Sequence, residues 1–126
     1  MRHRHSRLRL RQKPAHARLL KRNLLTSLLL YETVRTTKKR AEVVQPLIDT
    51  LISHAKKKDA YLAIRYVNRF VTDKNASRKI MEVFVKRFKD RASGLTRIIP
   101  VGARKGDGAK LVDIMFVDSE VPSSKS

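Results

Sequence analysis

The sequence predicts an α+β fold: a two-layer domain with helices over one face of a small sheet, in the order helix, strand, three helices, two strands. Three observations carry this expectation. Apolar residues recur at spacings of three and four in several stretches between Pro14 and Phe88. After Ser93 and Gly94 the pattern changes to that of strands. The first residues carry dense positive charge and too little apolar bulk to join any core. A basic arm over 1–13, disordered on its own, a single domain over 14–118 and a flexible tail over 119–126 follow.

Pro14 suits a first helical turn, and Ala17, Leu20, Leu24, Leu28 and Tyr31 then fall on one predicted helix face. Thr33, Val34, Thr36 and Thr37 are β-branched, so Glu32 to Thr37 reads as a short strand. The next helix runs from about Lys38 to Lys57 with a stripe of Val44, Leu47, Ile48, Leu51, Ile52 and Ala55. Pro46 within it predicts a kink or a restart, because proline removes a donor and clashes with the preceding turn. Asp59 is placed to cap a third helix carrying Leu62, Ala63, Tyr66, Val67 and Phe70. Thr72 or Asp73 caps a fourth with Ile80, Val83, Phe84 and Phe88. Leu95 to Val101 and Leu111 to Val117 read as strands, the second with Val112, Ile114 and Phe116 on one side. The glycines of Gly102-Ala-Arg-Lys-Gly-Asp-Gly108 permit a tight reversal between them, with Arg104 and Lys105 at the tip.

Charge narrows the function. With 30 Lys and Arg against 11 Asp and Glu, the formal charge is +19, a field that repels itself unless a polyanion neutralises it. An anionic membrane is a poor candidate: the longest apolar run, Leu24 to Leu30, is interrupted by Thr26 and Ser27 and falls short of the ~20 residues a span requires. Nucleic acid remains. Residues 1–40 hold 13 cations and one acid, Glu32, so most of the excess lies in the first third of the chain. Dense charge with little bulk is what an arm needs to follow the grooves of a folded RNA. Only seven Phe and Tyr are present, most at predicted core positions, so recognition should rest on phosphates and RNA shape rather than on stacked bases. The same basic, leucine-rich start also resembles a mitochondrial transit peptide, the competing reading of this segment.

Enzymatic motifs are missing. With no cysteine there is no disulfide, thiolate nucleophile or cysteine metal site. His3 and His5 could join the amino terminus in binding copper or nickel, but their basic neighbours disfavour a cation, and they serve better as phosphate donors. The glycine-rich loop lacks the Gly-Lys-Ser or Gly-Lys-Thr of a P-loop, since Gly108 is followed by Ala109-Lys110-Leu111 and a strand. No catalytic residue, metal or cofactor is expected.

Several motifs together resemble a family. Met1-Arg2-His3-Arg4, Leu20-Lys-Arg22-Asn23-Leu24, Thr36-Thr37 with Arg40-Ala41, and Leu51-Ile52 with Ala55-Lys56 look like bacterial-type large-subunit ribosomal protein L-seventeen. So do Gly94-Leu-Thr96-Arg97-Ile98, then Gly102, Arg104, Gly106-Asp107-Gly108-Ala109 and Val117-Asp118. The match runs in order from residue 1 to about 118. It departs at Arg11-Gln12 and at Tyr31, where the family usually has His. A family start at Met1 also speaks against a leader.

The resemblance implies a mixed fold and a structural place in the large subunit of cytoplasmic, bacterial-type ribosomes. It further implies ribosomal RNA and neighbouring large-subunit proteins as partners, a position near the polypeptide exit tunnel, and a chain that is a monomer within the ribosome. The residues expected to contact RNA are Arg2, His3, Arg4, His5, Arg7, Arg9, Arg11, Lys13, His16, Arg18, Arg22, Asn23, Thr36, Thr37, Arg97, Arg104 and Lys105. Two alternatives compete. One is the small basic subunit of an RNA-processing ribonuclease, for which Arg22-Asn23 is only a fragment of the arginine-asparagine-arginine signature. The other is a nucleoid-associated DNA binder, which calls for a dimer and a preference for duplex DNA.

Overall fold

A computed structural model describes residue 10 and residues 12–117. The first helix, α1, spans Pro14–Tyr31, with proline in its first turn, where a missing N–H costs nothing. It ends at Glu32, whose φ of 64° is left-handed and whose N–H donates to the carbonyl of Leu28 at 2.8 Å. That reversal feeds β1, Thr33–Thr37, which leads directly into α2, Lys38–Lys57. Next come α3, Ala60–Asn68, and α4, Lys74–Lys79. α4 passes into a π-helical stretch, Ile80–Phe84, and a closing turn, Val85–Arg87. The chain finishes with β2, Thr96–Ala103, and β3, Lys110–Phe116.

The order is the expected one, but four local expectations change. The buried side of α1 is Ala17, Leu25, Thr26, Leu28 and Leu29. Leu20 and Leu24 are only half-buried, and Tyr31 is 74% exposed. Leucines surround this helix, so spacing alone fits more than one face; packing against α2 and α4 selects the one used. Thr26 marks that contact: its hydroxyl donates to the carbonyl of Arg22 at 2.8 Å and accepts the N–H of Thr72 at 3.2 Å. In α2, Pro46 is exposed and lies inside one helix starting at Lys38, so there is no restart. Asp59 occupies the N-cap position of α3 without a side-chain hydrogen bond, whereas Asp73 does cap α4, accepting the N–H of Asn75 at 2.7 Å. Leu62 and Val83, placed on buried stripes by their spacing, are 50% and 40% exposed.

The sheet is antiparallel in the order β1-β3-β2, so the last strand is the central one. β2 and β3 form the expected hairpin, and β1 pairs along the other edge of β3. Val34, Ile114 and Ile98 lie in one row across the sheet, and Val112 and Phe116 share their face. This face meets the helices, with Phe84 and Phe116 stacked at 4.5 Å between centroids and Phe88 5.6 Å from Phe116. Ile48, Ile52, Leu25, Leu28 and Ile80 complete a continuous core. Side chains then lock the loop into β2: the Asp49 carboxylate accepts the N–H groups of Gly94 and Leu95, each at 3.2 Å. The Lys56 ammonium donates to the carbonyls of Phe88 and Arg91 at 3.0 and 2.7 Å, satisfying groups left open where the helical segment ends.

Candidate nucleic-acid interface

Strand register decides which basic residues can act together. Thr37 pairs with Leu111, and Leu111 with Gly102, so these three form one row at one end of the sheet. Just beyond the row on one side, α2 begins with Lys38, Lys39 and Arg40. On the other, the hairpin closes through Arg104 and Lys105 and returns through Lys110. Leu10 and Gln12 line a shallow hollow with Thr37, Lys39 and Arg40, which brings the chain entering α1 to the same place. Three separated stretches of sequence, 10–13, 38–40 and 104–110, thus meet at one end of the domain, and each carries cations.

Local features shape this end. No acid occupies the first turn of α2, and Thr37 at its N-cap makes no side-chain hydrogen bond. Cations there oppose the positive end of the helix dipole, an arrangement an external anion relieves. The hairpin projects beyond the core: residues 100–108 are exposed, and a register shift between Pro100 and Gly102 bends the ladder at Gly102, whose φ is 148°. Its tip is held from within. Arg104 donates through Nε to Asp107 Oδ1 at 3.1 Å and through a second nitrogen to Oδ2, and Asp107 also accepts the Ala109 N–H at 3.1 Å. These hydrogen bonds, that from Arg104 first, hold the Asp107 carboxyl down at about 2. The loop therefore keeps its ion pair throughout the neutral range. Arg104 shapes the tip, and the exposed Lys105 beside it is left to reach outward.

The other expected contact residues are spread more widely. On α1, Lys13, His16, Arg18 and Asn23 are exposed, and Arg22 is half-buried with its Nε enclosed and lacking a partner. Arg18 and Arg22 lie one turn apart on one side, and His16 and Asn23 share a different one. Thr36 and Thr37 are half-buried at the junction with α2. Arg97 is on the sheet's outer face at the far end, in the row with Met115 and Thr33, and so is not gathered with the hairpin tip. Arg2, His3, Arg4, His5, Arg7, Arg9 and Arg11 lie outside the described residues, as does the tail beyond Val117.

Sequence reading passed over Lys38, Lys39 and Arg40. The signal was available: three consecutive cations at the start of a predicted helix, where acids are preferred. A different cation pair is structural. Glu32 accepts from Lys79 at 3.2 Å and from Arg87, tying the end of α1 to the α4 segment. Burial pushes the Glu32 carboxyl up, but hydrogen bonds from Arg87 and Lys79 and their charges outweigh it, and the net direction is down. Arg35 likewise faces Asp113 across the outer sheet surface at 2.9 Å. Among the described residues there is no group of three or more His, Cys, Asp and Glu able to hold a metal ion, and no helix long and apolar enough to cross a membrane.

Comparison with known proteins agrees with the resemblance seen in the motifs. The family described as Ribosomal protein L17 matches residues 20–117. Large ribosomal subunit protein bL17 of Pelobacter propionicus is 35% identical over 120 residues, covering 95% of this chain and 94% of the relative. The protein of the same name from Rickettsia africae is 36% identical over 121 residues, covering 96% and 88%. That of Desulforudis audaxviator is 37% identical over 102 residues, covering 81% and 90%. Neither the ribonuclease subunit nor the nucleoid protein finds support in these matches. With a family match across most of the described domain and relatives aligned along nearly the whole chain, this protein belongs to the ribosomal protein L17 family, whose members are structural parts of the large subunit and not enzymes.

Proposed function

We propose that this chain binds large-subunit ribosomal RNA mainly through phosphate and shape contacts, using the cationic end of the sheet together with the arm. The observation that carries the reading is the convergence at one end of the domain of the segment entering α1, of Lys39 and Arg40, and of the hairpin that bears Lys105, which the sequence scatters over most of its length. Gathering cations from separate segments at one end costs stability through repulsion and is relieved by a polyanion. The hairpin, pinned at its tip by the Arg104–Asp107 pair, and the start of α2 give that polyanion a defined shape to meet. Arg18 and Arg22 extend the charged surface along α1. The same reading puts the chain in cytoplasmic ribosomes, as a monomer among neighbouring large-subunit proteins near the polypeptide exit tunnel, and for these it relies on the family resemblance.

Filter binding of the free chain to large-subunit RNA across a salt series tests the mechanism. With six to ten phosphates neutralised, affinity should fall about 10³- to 10⁵-fold between 50 and 200 mM salt. Lys39→Ala, Arg40→Ala and Lys105→Ala should each weaken binding and lower the salt slope by about 1. A flat salt response, or a slope unaltered in the triple variant, refutes the assignment.

A further inference from the structure

The aromatic residues are not all in the core. Tyr61 is 64% exposed on α3, a helix that buries only Ala63 and Val67. At 100° per residue the side opposite Ala63 and Val67 carries Arg65 and Tyr61, with Leu62 at its margin and Ile64 on the flank. The guanidinium carbon of Arg65 is 4.5 Å from the centroid of the Tyr61 ring, close enough for a cation–π contact. One ring face is thus covered by a cation, and the exposure of the residue leaves the ring open to a further partner.

We infer that Tyr61 and Arg65 form a stacking platform for an unpaired RNA base on the outward face of α3, an inference that rests on the RNA-binding reading. A base laid on the free side of Tyr61 continues the stack begun by the guanidinium. Its phosphates enter a field set by Lys57, Lys58, Arg65 and Arg69, against which Asp59 is the one acid between 57 and 69. The exposed Leu62 and Ile64, at 50% and 45%, would also suit a polypeptide partner. The charge decides between them: a protein surface would have to desolvate these cations, while a nucleotide neutralises them.

The test uses the full chain, a short oligoadenylate and an RNA duplex with the same number of phosphates, at one salt concentration. Tyr61→Leu should weaken oligoadenylate binding by about 5- to 150-fold and leave duplex binding and the melting temperature almost unchanged. Tyr61→Trp should retain oligoadenylate binding, with its fluorescence quenched when the base stacks. Equal losses on both RNAs, or no loss on either, overturn the platform and leave RNA binding standing. If the unaltered chain bound neither RNA, the RNA-binding reading would fall as well. If Tyr61→Leu kept its oligoadenylate affinity but lost association with RNA-free large-subunit proteins, the face would belong to a polypeptide and the platform would be refuted.

Discussion

Replacing Leu25 by alanine tests the choice of buried face on α1, where helical spacing and tertiary packing disagree. Leu25 is 1% exposed and belongs to the central core with Leu28, Ile48 and Phe84. Truncating such a side chain loses its transfer free energy and leaves a cavity that neighbours fill only in part, a cost of about 2.7 to 5 kcal/mol. For a domain of this size each kcal/mol lowers the midpoint by roughly 4 °C or more, so Leu25→Ala should melt more than about 10 °C below the parent chain. Leu24, packed at the edge of the core, should cost less, on the order of 1 to 2 kcal/mol, because part of its surface is already in water. Tyr31→Ala, at the exposed end of the helix, should stay within about 0.5 kcal/mol. Urea and thermal unfolding of the free variants, followed by circular dichroism, give the three values directly. If Leu24→Ala or Tyr31→Ala proved more damaging than Leu25→Ala, the helix would be rotated from the orientation described and the argument from packing would fail.

Deleting residues 2–13 removes six formal positive charges, those of Arg2, Arg4, Arg7, Arg9, Arg11 and Lys13. The truncated chain should keep its cooperative unfolding but lose RNA affinity and up to about six phosphates' worth of salt slope, as binding isotherms will show; loss of the folded state instead would make the arm structural. The Asp107 carboxyl, held down by Arg104 and the Ala109 N–H, should titrate at about 2 rather than at its ordinary value of 3.8 in a carboxyl-detected NMR series. Because its folded value is lowered, its contribution to the loop is complete above the ordinary value of 3.8 and is lost as pH falls from there through about 2. Arg104→Ala should return the midpoint towards 3.8, leave the melting temperature almost unchanged and weaken RNA binding; a large drop in melting temperature would make the hairpin tip a packing element.

Much of this molecule was legible in local sequence because its signals act over short distances. Helical period, β-branched tracts and a glycine-rich reversal each depend on a few neighbouring residues, so the order of elements, the α2 stripe and the β2-β3 hairpin could be read in advance. The excess of cations likewise pointed to a polyanionic partner without any coordinates. Tertiary structure decided what depends on residues far apart in the chain. β1 finds the central strand β3 across a separation of 78 residues at Arg35 and Asp113, and this pairing sets the row that unites Thr37 with the hairpin. It also turned Leu25 inward and left Tyr31 and Tyr61 outside, because a helix with several apolar sides takes its orientation from what packs against it. Arg104 illustrates the limit most clearly: its cationic character is evident from sequence, but only the folded loop shows that much of its donor capacity goes to Asp107. Charge and periodicity are local sums over residue types, whereas the pairing of strands, the facing of a helix and the neutralisation of one side chain by another depend on the path of the whole chain.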